Sequence, residues 1–148
     1  MKDCYIASGW FNPNQAGDLK KIKAALEDLE VSYFSPKDEI VATPDATAEE
    51  QEEIFAGNLL AINNAKFIVC NTRDKDLGTI FEAGFAYGNG TPIIYYAAGL
   101  KGNFNLMLSR SGRAVATNVR ELKKHIKGFL ADPEYREDYV GNIEWFCR

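Results

Sequence analysis

Histidine and cysteine, the side chains that most often hold metals or run redox chemistry, are scarce in these 148 residues. There is one histidine, His125, and three cysteines, Cys4, Cys70 and Cys147. No CxxC pair occurs and His125 stands far from any cysteine, so no metal site is expected. Three widely spaced thiols fit reduced side chains in a cytoplasmic protein. No apolar run approaches the roughly 18 residues of a membrane span. The opening "MKDCYIASG" is too short an apolar stretch for a secretory leader, and Asp3 interrupts it. Positive charge is not in excess: 17 Lys and Arg stand against 21 Asp and Glu, a net charge of −4. That argues against nucleic acid or an anionic membrane as partner. Neither GxGxxG nor GxxxxGK[ST] is present, so the phosphate loops of the common nucleotide folds are missing and no cofactor is expected.

What is present is a regular alternation in a chain that is 46% hydrophobic, enough for a real core. Short apolar runs at 4–8, 31–34, 66–71, 91–97 and 115–117 read as strands. Between them Leu19, Ile22, Leu26 and Leu29 recur at helical spacing. Thr47 to Glu50 has the spacing of a capping box, and Asn118 can cap a helix beginning "NVRELKKHIKGFL". Residues 36–46 and "GLKGNFNLMLSRSG" read as loops, and 132–148 as a tail carrying Tyr135, Tyr139, Trp145 and Phe146. Strands continuously apolar and separated by helices predict one α/β domain over 1–148. Its core is an open, mostly parallel five-stranded sheet with helices on both faces, Rossmann/flavodoxin-like. Ligands of such sheets bind at the carboxyl ends of the strands.

Those ends carry the candidate residues. After the first strand come Gly9, Trp10 and Phe11; two large aromatics beside a glycine either staple the first helix to the sheet or form a stacking wall for a flat ring. After the third strand Asp76 can cap the next helix or face a ligand. Glu82 lies about one turn into that helix among Ile80, Phe81, Ala83 and Phe85, a poor surface setting. The helix dipole favours its ionised form, and an ionised carboxylate at a ligand edge suits a glycosidase-type nucleophile. Tyr5, inside the first strand, is either core or a phenol that orients Glu82.

Three stretches taken together, "YIASGWFNPNQ", "DLGTIFEAGFAYGNGTPIIYY" and "NLM", resemble the nucleoside 2-deoxyribosyltransferases, in order from Tyr5 to Met107. The resemblance implies that Glu82 is the nucleophile attacking C1′ of a 2′-deoxynucleoside and that Tyr5 orients it. It implies that Asp76 binds deoxyribose hydroxyls and that Trp10 and Phe11 surround the base, with Gly9 beside them a further substrate-binding position. Asn105 and Met107 match residues that reach a neighbouring subunit's sugar site, so a homo-oligomer with shared active sites is implied. The implied partners are small-molecule deoxynucleosides and free nucleobases.

Two positions depart from the family pattern. Asn58 stands where the family often has an aspartate that handles the base and its proton. An amide holds a base by hydrogen bonds but donates no proton near neutral pH, which leaves Asp38, Glu39 or solvent for that task. Family tails end near a Tyr-x-Gly-x-Val-x pattern whose carboxylate reaches the site; "YVGNIE" (139–144) is similar, but four residues follow it, and the side chain of Glu144 is the expected stand-in. Two alternative activities share the same frame. One is hydrolysis of deoxynucleoside 5′-monophosphates, with Ser109, Arg110 and Ser111 as phosphate ligands; the other is non-catalytic nucleoside sensing.

Overall fold

The apolar runs become buried strands because helices cover both of their faces. The computed structural model describes residues 1–39 and 42–144. Strands β1 (Cys4–Ala7), β2 (Tyr33–Phe34), β3 (Phe67–Asn71), β4 (Ile93–Tyr96) and β6 (Ala114–Ala116) form one sheet in the order β2-β1-β3-β4-β6. Every ladder in it is parallel, so "mostly parallel" becomes wholly parallel among the described residues.

Alternate residues of each strand feed two separate cores. Cys4, Ile6, Phe67, Val69, Ile94 and Tyr96 pack against α1 (Pro13–Asp28) and α6 (Val119–Ala131). Tyr5, Ala7, Ile68, Cys70, Ile93 and Tyr95 face the other way, onto α3 (Ala48–Asn64) and α4 (Leu77–Gly88). The spacing of Leu19, Ile22 and Leu26 is the buried stripe of α1.

The helices begin where their capping side chains stand. Asn12 accepts from the Gln15 N–H and Pro13 supplies a first residue that needs no donor. Thr47 caps α3 through the Glu50 N–H, and Asn118 caps α6 through the Glu121 N–H. Helix α4 ends at Gly88, and Gly90 follows at φ 79°, a left-handed turn that glycine tolerates.

Three segments differ from the sequence reading. The loop after β2 opens with a single helical turn, α2 (Pro36–Glu39). The stretch read as a loop after β4 contains β5 (Phe104–Asn105) and α5 (Leu106–Ser111). Asn105 makes that helix: its Oδ1 accepts from the N–H groups of Met107 and Leu108. The tail folds back on its own chain, and its β7 (Ile143–Glu144) pairs in parallel with β5. Tyr135 reaches His125 Nδ1 at 2.8 Å, and the Tyr139 hydroxyl donates to the Gly102 carbonyl at 2.7 Å. Trp145 to Arg148 lie outside the described residues.

Candidate active site

The strand order reverses direction between β1 and β3, and the crevice outside the carboxyl ends of such a pair is where open α/β sheets bind ligands. A cleft of about 380 Å³ lies there, a size suited to a small organic molecule. The turn after β1 gives it Ser8, Trp10 and Phe11; α3 gives Phe55, Asn58 and Leu59; the start of α4 gives Asp76, Gly78, Phe81 and Glu82. Trp10 and Phe11 lie against each other with ring centroids 4.9 Å apart, and Phe55 and Phe81 form a second pair at 5.8 Å. The cleft is therefore walled by two aromatic pairs and floored by two carboxylates.

Glu82 meets Tyr5 across the sheet edge. Tyr5 is fully buried on β1, and its hydroxyl donates to Glu82 Oε2. The Tyr5 ring stacks on Phe34 of β2, centroids 5.5 Å apart and nearly parallel at 11°, which fixes the direction of the hydroxyl. Burial pushes the Glu82 carboxyl up to about 7; the Tyr5 hydrogen bond pulls it down and the nearby Asp76 charge adds a further upward push. The dipole argument, which favours the ionised form, is outweighed. Glu82 sits beyond the first turn of α4, where the dipole effect has fallen off, while desolvation remains the largest influence on it. The same desolvation and the Glu82 charge drive the Tyr5 phenol upward, so it stays protonated as a donor.

Asp76 caps α4: its Oδ2 accepts from the Thr79 N–H at 3.0 Å and the Thr79 hydroxyl at 2.9 Å. It lines the cleft as well, so capping and facing a ligand are not exclusive. Gly9 is glycine for a steric reason, because a Cβ there would lie 2.5 Å from Gln15 Oε1. That oxygen accepts the Phe11 N–H at 3.0 Å and so holds the aromatic turn against α1.

Tyr5, Trp10, Phe11, Asn58, Asp76 and Glu82 thus converge. Asn105, Met107 and Glu144 form a separate group: β5 and β7 put Asn105 opposite Glu144, Met107 is 69% exposed, and none of the three lines the cleft. Asp38 pairs with Lys23 at 2.7 Å, and neither Asp38 nor Glu39 lines the cleft. Arg110 pairs with Asp138 at 3.5 Å, and the Ser111 hydroxyl is engaged with Tyr95 at 2.7 Å and the Leu108 carbonyl at 3.1 Å. Sequence reasoning missed Asn71, Asp18 and Arg73, a polar cluster behind the cleft. The signal for Asp18 was its place on the apolar stripe of α1, between Gln15 and Ile22. Among the described residues no group of three or more His, Cys, Asp or Glu could hold a metal ion, and no helix is long and apolar enough to cross a membrane.

The model of the nucleoside 2-deoxyribosyltransferase family matches residues 4–117, well over half of the chain. The chain belongs to this family. Its match spans β1 to the end of β6 and so includes every cleft residue named above. No curated protein sequence matches the chain. Among solved structures, a 2-deoxyribosyltransferase from Bacillus psychrosaccharolyticus superposes with a TM-score of 0.78 at 24% identity, covering 93% of this chain and 98% of that one. A conserved protein from Enterococcus faecalis V583 gives 0.68 at 16% identity, covering 86% and 98%. A CMP N-glycosidase from Clostridium botulinum gives 0.55 at 12% identity, covering 84% and 97%. At these identities the likeness establishes the shared fold. Family membership makes the protein an enzyme acting on nucleosides, a transferase or a glycosidase.

Proposed function

We propose that the protein transfers the 2-deoxyribosyl group of a 2′-deoxynucleoside from one nucleobase to another, in nucleotide salvage. The observation that carries this is the Tyr5–Glu82 pair at the floor of an aromatic-walled cleft. In the first step a Glu82 carboxylate oxygen forms a bond to C1′ as the N-glycosidic bond breaks, and the bonding pair leaves with the base. Tyr5 holds Oε2, which leaves Oε1 to attack. In the second step a ring nitrogen of an incoming base bonds to C1′, its proton passes to solvent, and the carboxylate departs. Two displacements give net retention, each through an oxocarbenium-like state. A 2′-deoxy sugar reaches that state more readily because no electron-withdrawing 2′-hydroxyl opposes it.

In this reading Trp10 and Phe11 stack on the base, Asn58 bonds to its edge, and Asp76 takes sugar hydroxyls with the oxygen the cap does not use. Asn105, Met107 and Glu144 complete the site of a neighbouring subunit in a homo-oligomer, which accounts for their lying apart from the cleft of their own chain. The departing base takes its proton from solvent.

The alternative of hydrolysing 5′-monophosphates is less well supported. Among the described residues both ionisable groups lining the cleft are acids, which repel a phosphate, and Arg110 and Ser111 are engaged elsewhere. The deciding experiment incubates the protein with thymidine and free adenine and follows products by chromatography. Deoxyadenosine appearing as thymidine falls is the expected result. Thymine released with no new nucleoside would turn the reading to hydrolysis, and no consumption of thymidine to sensing.

A further inference from the structure

The two turns that form the cleft are tied together from behind by Asp18, Asn71 and Arg73, which do not line it. Asp18, on α1, is 2% exposed. It receives the Arg73 guanidinium as a fork, Nε to Oδ2 at 2.7 Å and Nη2 to Oδ1 at 3.0 Å. Asn71, at the end of β3, donates to the same Asp18 Oδ2 at 3.4 Å and to the Ser8 hydroxyl at 3.1 Å. Its own carbonyl oxygen accepts the Arg73 N–H at 3.2 Å. At the rim Asn12 Nδ2 donates to Asp74 Oδ2 at 2.8 Å.

These contacts hold an unusual piece of backbone. Arg73 opens a single 3₁₀ turn (Arg73–Lys75) in which Asp74 and Lys75 both have left-handed φ, 60° and 51°. Two consecutive non-glycine residues in that region persist only where the surroundings fix them. The next residue is Asp76, which caps α4 and lines the cleft. On the other side, α1 begins directly after Trp10 and Phe11. The Asp18–Arg73 fork therefore joins the element that follows the aromatic wall to the turn that presents the floor. A fork fixes angle as well as distance, which a lysine ammonium does not.

We infer that Asp18 and Arg73 are a positioning pair that sets the gap between the Trp10–Phe11 wall and the Asp76–Glu82 floor, and thereby the share of glycosyl-enzyme captured by a nucleobase rather than by water. The inference rests on the transferase reading. In transfer, a base nitrogen bonds to C1′ as the Glu82 ester C–O bond breaks, and the proton that nitrogen carried passes to solvent. In hydrolysis a water oxygen takes the same place, its proton passes to solvent, and 2-deoxyribose is released; Glu82 is regenerated either way. A snug gap keeps the base stacked and water out, whereas a slack one shortens the base's stay and admits water.

The test compares Arg73→Lys and the double variant Asp18→Asn/Arg73→Met with wild type, in the full chain, with thymidine as donor and adenine as acceptor. New nucleoside and free 2-deoxyribose are both quantified, and thermal unfolding is measured on each protein. Arg73→Lys is expected to lower exchange about tenfold, to raise the KM for adenine more than it lowers kcat, and to increase the ratio of deoxyribose to new nucleoside several-fold. The double variant leaves no lone charge behind, so it is expected to unfold close to the wild-type temperature while keeping the shifted ratio. An unchanged ratio in both variants, or a wild-type ratio in the double variant, would show that the pair only stabilises the fold. A wild type that neither exchanges nor hydrolyses thymidine would remove the transferase reading, and this inference with it.

Discussion

Asp18 and Glu82 stand on opposite faces of the sheet at its carboxyl edge, one on α1 and the other on α4. Asp18 is buried and Glu82 is partly buried at the cleft floor, yet they have been given different partners. Asp18 faces a guanidinium that matches it charge for charge and bond for bond. Glu82 faces a neutral phenol and a second carboxylate, so burial lifts it to about 7. The first arrangement offsets the cost of desolvation locally. The second leaves that cost standing, in a cleft, on a group able to act as a nucleophile. In the proposed reading, local electrostatic neutrality marks the structural carboxylate and its absence the nucleophile.

Replacing Glu82 by Gln should pull these two properties apart most forcefully. Base exchange should fall by roughly 10⁴-fold or more, as when a covalent nucleophile is removed. Stability should move the other way. From Glu82's ordinary value of 4.5 up to about 7, the folded chain keeps a proton that the unfolded chain has lost. Stability contributed by this group is thus full below about pH 4.5 and lost as pH rises to about 7. At pH 8 the Gln variant should exceed wild type by about 3 kcal/mol, and at pH 4.5 the difference should nearly vanish. Denaturant unfolding at the two pH values reads this directly. Equal stabilities at pH 8 would mean that the carboxylate is solvated.

Asp18→Asn should have the opposite sign. It leaves the Arg73 guanidinium without its partner, which costs about 2–3 kcal/mol for a cation that is itself about one-third exposed. A variant as stable as wild type would place Asp18 and Glu82 in the same class and undo the comparison. Tyr5→Phe should come next. The Tyr5 hydrogen bond lowers the Glu82 value, so removing it raises that value further and shifts the rising limb of the pH profile of kcat/KM to higher pH. Turnover at pH 7 should fall about tenfold while pH 9 restores much of it. A pH-independent loss would mean that Tyr5 acts on orientation alone.

The inner strands β1, β3 and β4 were legible as unbroken apolar runs, because burial on both faces leaves no polar position to disguise them. The Thr47 and Asn118 caps were legible because a cap is a local contest between one side chain and the N–H groups within three residues. The pairing of β5 with β7 was not, since two strands of two residues each owe their form to partners far along the chain rather than to their own propensity. Asn105 read as a loop residue for the same reason that it caps α5: a short amide competes with the backbone wherever it stands. Asp18 was overlooked because an aspartate followed by Leu19, Lys20 and Lys21 looks like an ordinary solvated helix face. Only its register on the Gln15–Ile22 stripe betrays it. The helix-dipole argument for Glu82 was outweighed, because desolvation depends on what packs around the carboxylate and no local pattern encodes that.

The smallest effect separates the aromatic wall from the carboxylate floor. A methyl group at Gly9 would meet Gln15 Oε1 at 2.5 Å, Cδ at 2.8 Å and Nε2 at 3.0 Å. These atoms belong to a side chain rather than to backbone, so Gln15 can swing aside at the loss of its bond from the Phe11 N–H. Gly9→Ala should therefore cost about 1 kcal/mol of stability. It should slacken Trp10 and Phe11 without touching Tyr5 or Glu82. If those aromatics hold the base, the KM for an acceptor base rises several-fold while the pH profile set by Glu82 keeps its midpoint. A shifted midpoint with unchanged KM would instead mean that the wall governs desolvation of the nucleophile, and the division of labour between wall and floor would have to be redrawn.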